Sequence, residues 1–336
     1  MRRRTKDLDI VLETDPAPLA KACAERLGTA PDSFDRFGTC RVVGPGGLRL
    51  DFVRARSESY GAPAALPVVR PGTLLEDLAR RDFSINAMAA ALTPSGLAEL
   101  IDPLGGLKDI QRRRVRILHA ASFRDDPTRL FRAARFSCRF GFPLDAETDR
   151  LRREAVAAGL PALLSRERLR GELWRMLEEK EPCCPLRTAR RWRLAELWAK
   201  GFAWPADLGE ARDPIERLAL IALRLGPRKG GELVRSLHLE RGQAQAALAA
   251  LETARRRAAP REALPAAAAA ALRRALKPPR KALEPLLLHG GDLKACGLEP
   301  GPSYSKWLER AARAQWTGAF ADRAAALRWL RSALGV

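Results

Sequence analysis

Hydrophobic periodicity changes once along this 336-residue chain, and that change limits the fold more than any other feature. Over roughly the first hundred residues, period-two alternation is mixed with short helical stretches; from Pro127 onward the pattern is helical. Residues 7–13, DLDIVLE, put Leu8, Ile10 and Leu12 on one side of an extended strand and Asp7 and Asp9 on the other. Residues 17–27 suit a short helix. Residues 40–43 and 48–53 flank Gly44-Pro45-Gly46-Gly47, a hairpin signal, with Leu48, Leu50 and Phe52 on one face and Asp51 on the other. Three carboxylates are thus expected on one face of one sheet. Pro63, Pro67 and Pro71 mark a loop, and residues 74–92 carry a helical pattern. Gly105-Gly106 makes a turn, and residues 115–118 read as a short strand. Helix breaks are expected at Pro161, Pro182, Pro205 and Gly226-Pro227, and the Ala-rich run 266–271 reads as helix between Pro-rich linkers. Trp307, Trp316 and Trp329 are expected to pack within a last helical unit. The fold class is therefore α+β at the start and all-α beyond.

Composition narrows the function. Sixty Lys+Arg against 40 Asp+Glu leave a formal charge of +20, which favours a polyanionic partner because each neutralised phosphate releases counterions. A GC-rich coding bias toward Arg is the competing source of that excess. No apolar run approaches a membrane span and Met1-Arg2-Arg3-Arg4 leads into no apolar segment, so no membrane partner is expected and the address is cytoplasmic. Six cysteines form no paired CxxC set, which argues against structural zinc. His119, His238 and His289 form no cluster in sequence and receive no role.

Two carboxylates one residue apart on a strand, Asp7 and Asp9, are suited to holding Mg²⁺; solvated Asp pairs on exposed strands are the commoner outcome. The third carboxylate, Asp51, favours metal, which would relieve the repulsion among them. The most specific motif is RRDFSINAMA, residues 80–89. Read as helix, it puts Asp82 and Asn86 at i and i+4 on one face; the bland alternative is a surface Arg–Asp pair. Residues 123–136, FRDDPTRLFRAARF, set Asp126 and Arg129 at i and i+3. At that spacing the two would share one helix face. Alternatively, Asp126-Pro127 caps the helix.

Residues 80–89 resemble the RRDFxINAMA signature of the class II CCA-adding enzymes and bacterial poly(A) polymerases. Further similarity lies in residues 36–39, 50–56, 102–106 with Asp109 and Arg116, 123–136 and 165–173, and loosely in residues 290–294 and 297–302. The resemblance implies a nucleotidyltransferase palm (1–117), a helical neck that recognises the nucleotide base (118–178), a helical body (179–258) and a tRNA-binding tail (259–336). It implies catalysis at Asp7, Asp9 and Asp51, with Mg²⁺ on Asp7 and Asp9. Nucleotide binding is implied at Arg81, Asp82, Asn86, Asp125 (where the family has Glu), Asp126, Arg129 and Arg132. The implied activity is template-independent addition of all or part of CCA to tRNA from CTP and ATP. A poly(A) polymerase shares these motifs, and the short segment between Asp51 and Arg81 keeps CC-only or A-only addition open. Basic stretches 187–193 and 255–257 are tRNA-backbone contacts in this view, or solvated charged faces. The family's Gly-rich phosphate turn precedes the Asp pair, whereas here residues 1–6, MRRRTK, stand before it. The expectation is a start some tens of residues upstream; a shortened, non-catalytic RNA-binding chain is the alternative.

Overall fold

The computed structural model describes residues 7–34, 39–211, 213–256, 264–275 and 286–335. Residues 1–6 and 36–38, Arg257 and the linker prolines 260, 278 and 279 of the sequence reading lie outside these. The chain forms two compact units, Met1–Leu163 and Leu164–Val336.

The first unit opens with β1 (Asp7–Leu12), α1 (Ala17–Arg26), β2 (Pro31–Phe34), β3 (Thr39–Val43) and β4 (Arg49–Arg54). The sheet order is β1-β4-β3-β2; β1 runs parallel to β4, and β3 pairs antiparallel with both β4 and β2. Gly46 and Gly47, at φ 67° and 76°, supply the left-handed backbone of the expected β3–β4 turn. Alternation then sorts the side chains. Cys40, Val42, Leu50 and Phe52 bury against Ala20 and Ala24 of α1, with Ile10 and Leu12 packed beside them. Among the described residues β1 is an edge strand, and its Leu8 stays 44% exposed.

The Pro-rich segment is a hairpin loop, joining β5 (Arg56–Ser59) to β6 (Val68–Pro71). Next comes α2 (Leu74–Ala79), started by a reciprocal Thr73–Glu76 capping box. Here the structure corrects the sequence reading, because the helix does not continue to residue 92. It stops at Ala79; Phe83 is extended (φ −132°, ψ 150°), Ser84–Asn86 form one 3₁₀ turn, and β7 (Ala89–Thr93) pairs with β8 (Gly96–Ile101). The apolar run after Asn86 fits either period, and Gly96 at φ 116° lets the chain reverse as a hairpin. Residues 115–118 likewise form only isolated bridges, Val115 to Leu144 and Ile117 to Phe83. The unit continues with α3 (Gly106–Gln111), α4 (Ser122–Asp125), α5 (Thr128–Phe140) and α6 (Ala146–Ala157).

The second unit is helical: α7 (Arg166–Leu177), α8 (Cys183–Arg191), α9 (Pro214–Leu225), α10 (Pro227–Ser236), α11 (Arg241–Arg256), α12 (Ala266–Ala275), α13 (Gly290–Ala295), α14 (Pro302–Trp316) and α15 (Arg323–Leu334). Breaks fall where Pro182, Pro205 and Gly226-Pro227 were expected to place them. Buried α9 packs against α10, α11 and α12. Trp307 and Trp329 pack onto the core of α13–α15, and Trp316 is fully buried. No described helix is long and apolar enough to cross a membrane.

Two buried features fix the turn after α2. Gly105 sits at φ 72°, and at Gly106 a Cβ would lie 2.2 Å from the Ser84 carbonyl oxygen and 2.8 Å from Met88 Sδ. Asp109, almost wholly buried, accepts from Ser84 Oγ (2.6 Å), Arg114 Nε (2.5 Å) and Arg116 Nε (2.6 Å). Burial pushes its pKa up, but the hydrogen bonds from Ser84, Arg114 and Arg116 outweigh this and hold it below the ordinary value of 3.8. Gly106→Ala is expected to destabilise the first unit by about 3 kcal/mol, as backbone rather than a flexible side chain must yield; a denaturation midpoint within 0.5 kcal/mol of wild type, a rough threshold for surface substitutions, would refute this. Because the folded pKa of Asp109 is depressed, its contribution is complete above the unfolded pKa and disappears as pH falls through the folded value. Asp109→Asn should therefore cost about 3 kcal/mol at neutral pH and flatten the acid limb of stability below about pH 4. Denaturant melts from pH 2 to pH 7 test both effects.

Candidate active site

The polar face of the sheet is built by register. Asp9 pairs with Asp51 and Asp7 with Arg49 across the parallel β1–β4 ladder, and Arg41 pairs with Asp51 across β3–β4. In-register neighbours share a face, so all three expected carboxylates lie together, interleaved with two arginines. They do not form a cluster open to one ion. Arg41 grips Asp51 through both oxygens (Nε–Oδ1 2.7 Å, Nη2–Oδ2 2.9 Å), and Arg49 Nε donates to Asp7 Oδ1 at 2.6 Å. The Arg41 hydrogen bonds lower the Asp51 pKa against the opposing effect of burial. Asp9 makes no hydrogen bond or ion pair among the described residues, and no group of three or more potential metal ligands is found among them. The Arg49–Asp7 pair is solvent-exposed on both sides and therefore weak.

The RRD segment is a turn centred on Asp82. One oxygen, Oδ1, accepts from the Phe83 amide (2.8 Å) and from Asn86 Nδ2 (3.1 Å). The other, Oδ2, accepts from Arg132 Nε (2.7 Å) and Nη2 (2.6 Å) on α5. Asp82 and Asn86 do meet, but across a turn and not along the expected helix face. A short carboxylate that bonds its neighbour's amide competes with helical pairing, and Phe83 is buried where it falls. Arg81 donates to Asp77 Oδ2 (3.1 Å) and the Asn86 carbonyl (3.3 Å), while its buried Nε has no hydrogen-bond partner among the described residues.

Behind this turn lies a network that the sequence reading did not contain. Buried Asp77 accepts from Arg80 Nε (3.0 Å) and Nη2 (2.6 Å) as well as from Arg81. Glu58 accepts from Arg56 (2.9 Å), Arg80 Nη1 (3.0 Å) and Tyr60 Oη (2.9 Å). Burial and the nearby Glu58 raise the Tyr60 pKa far above 10, so the phenol stays protonated and donates. Only the E-x-Y spacing of residues 58–60, at the end of β5, hinted at this.

Asp126 and Arg129 do not share a helix face as expected. Asp126 precedes α5, and its Oδ1 accepts from the Thr128 amide (2.9 Å) and hydroxyl (2.6 Å); the capping alternative describes its bonding. Pro127 forces the break between α4 and α5 that produces this geometry. Arg129, 4% exposed, donates from Nη1 to Ser122 Oγ (2.7 Å) and from Nη2 to the Arg80 carbonyl (2.6 Å). His119 Nε2 lies 3.4 Å from the same Nη1, and His119 Nδ1 lies 3.9 Å from Asp125 Oδ2. The chain thus brings Arg81, Asp82, Asn86, Arg129 and Arg132 into one bonded assembly with Asp125 and Asp126 at its margin. The sheet carboxylates form a separate polar face.

Residues 1–116 match the poly(A) polymerase head domain family. The A-adding tRNA nucleotidyltransferase of Geobacter sulfurreducens is 43% identical over 176 residues, 52% of this chain and 20% of its own length. The CC-adding tRNA nucleotidyltransferase of Deinococcus radiodurans is 42% identical over 133 residues, 40% of this chain and 36% of its own. The chain thus spans well under half the length of these relatives. A crystal structure of a tRNA nucleotidyltransferase complexed with a primer tRNA and an incoming ATP analogue aligns with a TM-score of 0.60 and 30% identity, covering 73% of this chain and 75% of the other. On these likenesses and the motifs above, the chain belongs to the class II tRNA nucleotidyltransferase family, whose head is shared with the poly(A) polymerases.

Proposed function

We propose that the protein adds all or part of the 3′-terminal CCA to tRNA from CTP and ATP, without a nucleic-acid template. The observation that carries this reading is the Asp82 carboxylate, which ties the RRD turn to the helix that bears Arg129. Phosphate- and ribose-binding groups are thereby held in one assembly with base-reading groups. In this reading residues 1–117 are the palm, 118–178 the neck, 179–258 the body and 259–336 the tail that holds tRNA.

Each side chain then has a part. The buried Arg81 Nε–H, without a partner among the described residues, suits a phosphate oxygen. Asp82 and Asn86 accept and donate at the ribose hydroxyls, which favours ribonucleotides. Of the five N–H donors of Arg129, contacts to Ser122, His119 and Arg80 take three; Nε–H and one Nη2–H remain without a partner among the described residues. Those two suit base acceptors, Asp126 and Asp125 suit an exocyclic amine, and Arg132 holds Asp82. In the reaction the tRNA 3′-oxygen forms a bond to the α-phosphorus, the bond to pyrophosphate breaks, and the hydroxyl proton leaves to a base or water.

The sheet face fits Mg²⁺ in donor type: Asp9 has an unengaged carboxylate in register beside Asp51, and the Arg49–Asp7 pair beside it is solvent-exposed and weak. With Mg²⁺ bound at Asp7 and Asp9, the chemistry supplied is activation of the 3′-hydroxyl and neutralisation of the triphosphate.

The decisive experiment gives the purified chain tRNA lacking CCA, Mg²⁺ and singly labelled CTP or ATP. Ordered entry of both labels marks full CCA addition, and entry of one label only marks a CC- or A-adding enzyme. Long A tails mark a poly(A) polymerase. Tight RNA binding without incorporation overturns the reading in favour of a non-catalytic binder. Asp9→Ala should abolish incorporation and leave tRNA affinity within about twofold, since phosphate contacts elsewhere supply most of that affinity. Arg129→Ala should relax base discrimination by roughly 1–3 kcal/mol, the worth of a bidentate base contact; equal loss with all four nucleotides would refute its base-reading role.

A further inference from the structure

Sequence alone gave His119 no role, yet the fold sets its imidazole against Arg129. The ring sits in the turn before α4, its side chain 39% exposed, and its carbonyl accepts the Ser122 amide (3.1 Å). That bond places the Ser122 hydroxyl and the His119 ring on the same Nη1 of Arg129, at 2.7 Å and 3.4 Å. On the other nitrogen, Nη2, the Arg80 carbonyl accepts at 2.6 Å. A guanidinium on a long, flexible stem reads a base edge only when its orientation is fixed.

We propose that His119 is a specificity-determining positioning residue. Its neutral Nε2 accepts one Arg129 N–H and, together with Ser122 Oγ and the Arg80 carbonyl, holds the guanidinium in the orientation that selects the nucleobase. This role rests on the reading of Arg129 as a base-contacting residue. Chemistry at the ring requires the neutral form. An imidazolium has no acceptor to offer and would set two cations about 3.4 Å apart. The tautomer follows, with the proton on Nδ1, on the side of Asp125. The charged groups facing the ring are Arg129 from α5 and Asp125 from α4; Tyr60 lies within electrostatic reach of both Arg129 and Asp126. Burial and then Arg129 push the His119 pKa below its ordinary 6.5, against a weaker opposing pull from Asp125. The ring is therefore neutral at physiological pH, and acidification removes the acceptor.

The test compares His119→Ala and His119→Gln with wild type in single-nucleotide addition to tRNA, with each of the four nucleotides, between pH 5 and pH 8. Glutamine places an amide oxygen near the position of Nε2 but does not titrate. His119→Ala is expected to raise KM for the preferred nucleotide and lower discrimination, each about tenfold, the worth of one charge-assisted hydrogen bond. Its kcat should change less than KM. His119→Gln should restore discrimination while removing its decline at acid pH. In parallel, imidazole NMR of the chain's three histidines should show the His119 titration move upward in Arg129→Met. Wild-type incorporation with unchanged KM and discrimination in His119→Ala overturns the role of His119 alone, as does a titration indifferent to Arg129. Failure of wild type to incorporate any nucleotide overturns the reading of the site, and this role with it.

Discussion

The RRD turn and its link to α5 hang on the carboxylate of Asp82. Four hydrogen bonds converge on its two oxygens: the next residue's amide, Asn86, and two from Arg132 fifty residues away. The first of these holds the chain extended beyond α2, where Phe83 enters the core and meets Phe136 edge-on at 5.8 Å between ring centroids. The last two fasten the turn to α5. A nearly buried carboxylate would be costly without such partners, and its removal would leave Arg132 unpaired at a partly buried position. The same atoms that set the local conformation also determine which residues stand together.

Charge is used here as structure more than as surface. Asp77 and Asp109 are buried, each receives arginine donors, and Glu58 is nearly as enclosed. Pairs of this kind add little net stability compared with apolar packing, but they tolerate only a few geometries. That property suits a site whose members come from the β5–β6 hairpin, α2, the 3₁₀ turn and α5. Arg80 makes the point: its guanidinium bridges Glu58 and Asp77, and its carbonyl accepts from Arg129. One residue therefore links the hairpin to the proposed base reader, and His119 holds that reader from the other side.

The sheet solves a different problem. Alternation sends Val42, Leu50 and Phe52 under α1 and leaves Asp7, Asp9 and Asp51 on the opposite face, where Arg41 and Arg49 balance most of their charge. Asp9 is the carboxylate left without a partner among the described residues, in register with Asp51.

The sequence by itself determined the strand alternation of β1 and β4, the β3–β4 turn, the helix breaks at Pro182, Pro205 and Gly226, and the family motifs. Each depends on periodicity or on backbone rules that act within a few residues. It also delivered Asp82 and Asn86 as partners, though by the wrong geometry, since i and i+4 are neighbours in a helix and the side chains here meet across a turn. Only the tertiary structure decided that α2 stops at Ala79, because Arg132 and the burial of Phe83 lie far outside any local window. It alone decided that Arg80 serves as a joint and that His119 faces Arg129. Those contacts join residues up to fifty positions apart, and no local pattern encodes which distant side chain will complete a buried hydrogen bond.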